Sequence, residues 1–500
     1  MDLRTKIGQM IMMGFPEANL SPDLLDFLSR YKIGNFILFA PNIQDADQMR
    51  GLCDDLSERV SRNTGLPPFI ALDEEGGIVS RMPGSATSTP SAMAIGATKR
   101  PENARIAYRI LGEEMLALGV NVDFAPVLDI NRPYNPVIGV RAFGEDRETV
   151  AKFGVAAVQG LRDAGVIAVG KHFPGHGDVK VDSHIELPRL QKSMEEFDDV
   201  ETYPFRKAME AGIDGIMTAH ILCSSLDDVP ATMSRKIVTG MLKEKYGFHG
   251  LVFSDALEMD AIRAYYGCVN AAVRAVKAGV HILCVAHGRK VVEEIVQALE
   301  AAVHTGEIPE QTIDEAVSKI QEYKCGMRAQ RPSPSVVGCV AHRAEAERIS
   351  RESLRIVWRG DATLPLHICQ TVFAGSLPIR LNQASNAAAE NFNFAEYMCK
   401  IACRGGAHPA GRIIPLDPNE DEIAALAAEF AAYESVVLAL NKSEDYPGQI
   451  ALANRLHNKN VIVVSTNVPY ELDRVETHAA KVAVYEYTAL AFKSLLKLLL

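Results

Sequence analysis

VIAVGKHF, residues 166–173, is an apolar run that ends on a lysine and a histidine, and PGHGDVKVDSHIELP, residues 174–188, follows it. A short, β-branched run of this kind suits a strand buried on both faces. Pro174 and Gly175 then break it, so Lys171 and His172 sit at its C-terminal end. Similar runs recur along the first two thirds of the chain: GQMIMMGF (8–15), GNFILFA (34–40), PFIALDEE (68–75), VNVDFAPV (120–127), DGIMTAHI (214–221), LVFSDALEM (251–259) and VHILCVA (280–286). Helix-start signals lie between them. Ser21 precedes Pro22, and Ser193 with Glu196 makes a capping box. The alternation predicts a parallel sheet, and eight runs is the count of a (β/α)8 TIM-like barrel. Asp73, Lys171, His172, His220 and Asp255 each lie near the end of a run. In a barrel those ends converge on one face, where active sites are built. A doubly wound sheet would usually bring a glycine-rich nucleotide loop, and neither GxGxxG nor GxxxxGKS occurs.

RAQRPSPSVVG (328–338) has the composition of a linker. The expected organisation is a barrel over 1–327, a linker over 328–340 and a smaller α/β sandwich over 341–500. Strands are expected at 354–359, 366–372, 435–440, 460–466 and 481–487, with helices over 419–433 and 447–457. The closing FKSLLKLLL reads as an amphipathic last helix packed on its own domain.

The 500 residues are 48% hydrophobic and 23% charged, ordinary values for a globular enzyme. A net charge of −11 argues against nucleic-acid or anionic-membrane partners. Nine scattered cysteines with no CxxC pair suit reduced thiols in a cytoplasm. The N-terminus carries no signal-peptide pattern, and no apolar run is long enough to span a bilayer.

The histidines of 171–188 raise three possibilities: a metal site, a catalytic loop, or a turn. Pro174 and Gly175 keep His172 and His176 off a common helix face, and no zinc spacing such as HExxH is present, so no metal is expected. Asp182 and His184 are one residue apart, which puts both on one side of an extended segment. A carboxylate beside an imidazole fixes its tautomer and supports proton transfer near neutral pH; a surface pair is the alternative. Asp255 ends LVFSD and suits either a nucleophile or the N-cap of the next helix.

These residues resemble the β-N-acetylglucosaminidase branch of glycoside hydrolase family 3. The similarity is carried by KHFPGHG (171–177) with the following DSH, by DEEGG (73–77), NPVIGVRAFGED (135–146), MTAHI (217–221), PATMS (230–234) and FSDALEM (253–259), in the family's order. It spans most of residues 1–300; VIVVSTNVPYELDRV (461–475) and AVYEY (483–487) extend it more weakly. Ile78 departs from the pattern, standing where an arginine is common.

The resemblance implies a retaining exo-β-N-acetylhexosaminidase that needs no metal or cofactor. Asp255 matches the nucleophile, His184 the acid/base and Asp182 its partner. Asp73, Arg141, Lys171 and His172 match residues that hold sugar hydroxyls. The implied substrates are small saccharides or muropeptides, GlcNAc–MurNAc fragments with or without the anhydro end and peptide. The alternatives are a β-N-acetylglucosaminide phosphorylase or a β-glucosidase of the same family. The oligomeric state is left open, and His176 is expected to hold the loop.

Overall fold

The structure, a computed structural model, describes residues 1–181, 187–327, 330–358, 360, 362–379, 393–403, 408–476 and 478–500. Each of the eight runs contains a strand: β1 (Ile11–Met13), β2 (Asn35–Ile37), β3 (Phe69–Leu72), β4 (Val122–Asp123), β5 (Ile167–Phe173), β6 (Gly215–Thr218), β7 (Leu251–Ser254) and β8 (Leu283–Val285). They pair in parallel in the order β8-β1-β2-β3-β4-β5-β6-β7, and a bridge from Phe253 to Ile282 spans the remaining seam. The result is a nearly closed TIM-like barrel. The run at 120–127 yields only a two-residue strand; Pro126 in its second half has no N–H to give a ladder.

The surrounding helices follow from their sequence. Asp45 accepts a bond from the Gln48 N–H to start Ala46–Thr64, and Gly65 ends it in the left-handed region. Met49, Leu52, Cys53, Leu56 and Val60 are spaced to form one stripe, and all are buried. Burying such a stripe is worth about 1.5–3 kcal/mol per large aliphatic side chain. Both sequence-read helix starts are present: Ser21 caps Pro22–Tyr31, and Ser193 and Glu196 form a reciprocal capping box. No helix among the described residues is long and apolar enough to cross a membrane.

A second sheet follows, of strands β9 (Arg355–Trp358), β10 (Thr371–Gly375), β11 (Ala410–Ile413), β12 (Ser435–Leu440), β13 (Asn460–Ser465) and β14 (Ala480–Ala483). Its order is β9-β14-β13-β12-β10-β11, parallel except for the antiparallel β9–β14 pair. Alternation along the central strands builds two faces. Val436, Leu438, Val461 and Val463 pack with helices Glu420–Phe430 and Gly448–Arg455. Val437, Ala439, Ile462 and Val464 pack with Phe394–Ala402 and the last helix, Ala489–Leu499. This is the expected α/β sandwich. Two strand readings change. The run at 366–372 becomes a strand only from Thr371, because Ile368–Gln370 forms a tight turn with the Thr371 hydroxyl on the His367 carbonyl. The edge strand β11 was not foreseen; its mostly exposed AGRI has no apolar alternation to read.

The two sheets share packing. Met93, Ala94 and Val140 of the first half join the core of the second. Glu486, just after β14, accepts the Ser91 N–H at 2.6 Å. Gly77 permits this approach: its φ is +56°, and a Cβ there would lie 2.6 Å from the Glu486 carboxylate.

Candidate active site

The C-terminal strand ends open into a cavity of about 620 Å³. Asp73 follows β3, Lys171 and His172 close β5, and Asp255 follows β7; all four line the cavity with Arg141 and His176. Five sequence-predicted residues thus meet in one place, across 182 positions of chain from Asp73 to Asp255. Asp182 and His184 lie outside the described residues.

The floor is a network of four charges. Lys171 Nζ lies 2.7 Å from Asp73 Oδ1 and 2.6 Å from Glu75 Oε1. Arg141 grips Glu75 at two points, Nε to Oε2 at 2.8 Å and Nη2 to Oε1 at 2.7 Å. Burial alone would raise the Glu75 carboxyl, but Arg141 and Lys171 outweigh it and hold the group well below the usual carboxylate range. Burial likewise opposes the Lys171 ammonium, and Asp73 and Glu75 hold it above its ordinary value. Glu75, Lys171 and Arg141 therefore stay ionised. Asp73 is the more exposed carboxylate, its side chain 22% accessible against 2% for Glu75. It presents an acceptor to the cavity while Glu75 orients the cations behind it.

His172 is fixed from a different strand end. Its Nδ1 lies 2.7 Å from Asp129 Oδ2. The ionised carboxylate only accepts, so Nδ1 carries the hydrogen, and in the neutral ring Nε2 is an acceptor. Asp129 is fully buried and also accepts the backbone N–H of His176 at 2.6 Å. Burial opposes its charge, but His172 and His176 hold the carboxyl below its ordinary value. Asn135 fastens the same turn by donating to the carbonyls of His176 and Gly177, each at 2.8 Å. At Gly177 a Cβ would sit 1.8 Å from the Ile130 carbonyl, so only glycine fits. His176 lines the cavity, and burial, reinforced by His172, lowers its imidazole to about 4, which keeps it neutral near pH 7.

Asp255 accepts the Ala256 N–H at 2.8 Å. It is not the N-cap of the next helix, which begins at Asp260 with Met259 as its cap residue. His220 bonds the Ala256 carbonyl at 2.9 Å through Nε2 and Thr232 through Nδ1, so it braces the backbone beside Asp255. Glu258 also lines the cavity. Its carboxylate accepts the N–H groups of Ala286 and His287 at 2.9 and 2.7 Å, one on each oxygen, which anchors the loop after β8.

Sequence reasoning assigned no role to Glu75, Asp129 or Glu258. Glu75 stood inside the quoted DEEGG. Asp129 ends APVLD, an apolar run closing on a carboxylate like LVFSD, and that form was the available signal. Among the described residues no group of three or more His, Cys, Asp or Glu is arranged to hold a metal ion.

A carboxylate beside a ring of fixed donors and acceptors suits a polyhydroxylated ligand with one electrophilic carbon. Comparison with known proteins decides the family. Residues 2–323 match the glycosyl hydrolase family 3 N-terminal domain. The chain belongs to glycosyl hydrolase family 3. Its place in that family is the β-N-acetylhexosaminidase branch. It is 35% identical to β-hexosaminidase A of Pseudoalteromonas piscicida over 378 residues, which cover 70% of this chain and 63% of that protein. It is 39% identical to a β-hexosaminidase of Alkalilimnicola ehrlichii over 257 residues, covering 50% of this chain and 73% of that one. A solved family 3 β-N-acetylglucosaminidase from Paenibacillus sp. FPU-7 superposes with a TM-score of 0.90 at 32% identity, covering 100% of this chain and 96% of that one. The family 3 fold accounts for both halves of the chain.

Proposed function

We propose that this family 3 chain is a retaining exo-β-N-acetylglucosaminidase that removes terminal β-linked GlcNAc from GlcNAc–MurNAc or GlcNAc–1,6-anhydroMurNAc fragments, with or without peptide. Catalysis is assigned to residues 1–327, joined by 328–340 to the supporting domain 341–500, and the proposed compartment is the cytoplasm. One observation carries the reading: Asp255 shares a cavity with the fixed Asp73–Lys171–Glu75–Arg141 network and with His172.

In the proposed reaction Asp73, Lys171, Arg141 and His172 hold the sugar hydroxyls and set C1 against Asp255. Asp255 attacks C1 and forms a covalent glycosyl ester as the leaving oxygen departs. His184, paired with Asp182, protonates that oxygen. It then takes a proton from water as the ester is hydrolysed, so configuration is retained. A histidine acid begins near pKa 6.5, whereas a carboxylic acid begins near 4 and must be raised well above that to serve at neutral pH. Using imidazole also adds no second negative charge beside Asp255.

The test compares an activated aryl β-GlcNAc glycoside with GlcNAc–MurNAc. Asp255→Ala should abolish turnover of both, and His184→Ala should slow the disaccharide far more than the aryl glycoside. Equal loss on the two substrates in His184→Ala would remove the acid role. Release of GlcNAc 1-phosphate in phosphate buffer would replace hydrolysis by phosphorolysis.

A further inference from the structure

Val137 lines two cavities. One is the active-site cavity. The other is a crevice of about 150 Å³ between the barrel loop 133–140 and the sandwich loops 442–445 and 467–471. It has room for roughly five waters, the scale of one sugar ring rather than a folded peptide. We propose that this crevice binds the leaving-group sugar, with Glu444 and Asn467 taking its hydroxyls against the Tyr134 ring, so that the C-terminal half chooses the aglycone. The proposal rests on the reading of the chain as an exo-acting glucosaminidase.

Position is the first argument. An exo enzyme holds the terminal sugar inside its cavity, so the leaving group projects from the mouth into whatever adjoins it. The crevice adjoins at Val137 and is also lined by Ile78. Ile78 follows directly on DEEGG, the loop that supplies Asp73 and Glu75. Ile78 packs against the core of the second half, so it ties that loop to the crevice.

The lining chemistry is the second. Glu444 and Asp445 supply carboxylates, Asn467 an amide, and Lys442 an ammonium held 2.8 Å from Asp445. Carboxylates and an amide beside a flat aromatic face supply acceptors and a donor for the hydroxyls of a sugar ring. Tyr134 is half exposed, yet its hydroxyl donates to Asp178, which fixes the ring in place.

Construction is the third. Lys442 sits at φ +53°, in the left-handed region that non-glycine residues seldom adopt. Such strain persists only where the surroundings impose it, and it gathers at ligand sites. Here the Ser443 N–H donates to the buried Glu471 at 3.0 Å, and the Asn441 N–H to Gln449 at 2.8 Å, so both neighbours of Lys442 are pinned. The Tyr470 hydroxyl, 3.3 Å from the Pro133 carbonyl, joins the two walls.

The test measures kcat/KM for di-N-acetylchitobiose and for 4-nitrophenyl β-GlcNAc, and takes their ratio. Glu444→Gln and Asn467→Ala are each expected to lower the disaccharide-to-aryl ratio about tenfold, the loss lying in KM, as one hydrogen bond to a charged or polar group predicts. Melting temperature confirms that each variant folds. A ratio within twofold of wild type in both variants overturns the proposal, as does a wild type that cleaves the aryl glycoside but no disaccharide. A wild type inactive on every β-GlcNAc substrate overturns the functional reading itself.

Discussion

Arg141 meets Glu75 as a fork, with 2.8 and 2.7 Å contacts between two side chains that are almost wholly buried. Lys171 adds a second cation to the same carboxylate. Glu75 therefore faces the protein rather than the ligand, and it sets the aim of two groups that face the cavity.

Glu75→Gln should test this arrangement. It keeps the shape but leaves Arg141 and Lys171 short of one negative charge. Breaking a buried pair from one side costs about 3–5 kcal/mol, and the amide oxygen recovers part of that. Because the Glu75 carboxyl is held low in the fold, its contribution is complete above the unfolded carboxyl value near 4.3 and is lost as pH falls toward its folded value. Denaturant unfolding should show wild type more stable at about pH 7 and the gap shrinking below about pH 4. A gap equal at neutral pH and in strong acid would contradict the role given to the charge.

Asp129 should be needed for His172 to work. It is the buried acceptor for the His172 ring and for the His176 N–H. In Asp129→Asn the amide either donates to Nδ1, forcing the other tautomer, or turns its oxygen there and loses the charge. Loss of one charged hydrogen bond is worth about 1.5–3 kcal/mol, or roughly tenfold to a hundredfold in kcat/KM. Steady-state kinetics on an aryl β-GlcNAc glycoside should show that drop while the melting temperature falls only modestly. Wild-type kcat/KM in the variant would mean that His172 needs no fixed tautomer.

The difference between what the sequence disclosed and what it withheld follows the range of the interactions. A polar residue closing an apolar run is a local signal. It sufficed to place Asp73, Lys171, His172 and Asp255 on one face, because barrel topology alone brings strand ends together. Arg141 sits on a short turn far from any run, and only the resemblance to family 3 drew attention to it. The partners of these residues are not local. Glu75 meets Arg141 across 66 positions, Asp129 meets His172 across 43, and Glu258 meets His287 across 29. No periodicity encodes such pairs, since they exist only once the barrel closes. The crevice at Val137 is further out of reach, because its two walls come from separate sheets.

Glu486 offers the sharpest test of how the two halves are joined. Its carboxyl accepts the Ser91 N–H at 2.6 Å and the Thr488 hydroxyl at 2.9 Å, and burial raises it to about 7. With a folded value above the unfolded one near 4.3, the unfolded chain ionises first as pH rises. Stability from this group is therefore full below about pH 4 and declines until about pH 7. Glu486→Gln keeps an acceptor for Ser91 and removes the ionisation, so its melting temperature should gain on wild type between about pH 5 and pH 8. Glu486→Ala removes the acceptor and leaves a buried N–H unpaired, at a cost of about 1–3 kcal/mol. It should be less stable than Gln at every pH. A constant offset between wild type and Glu486→Gln across that range would show that the Glu486 carboxyl titrates at its ordinary value and that the junction is insensitive to its charge.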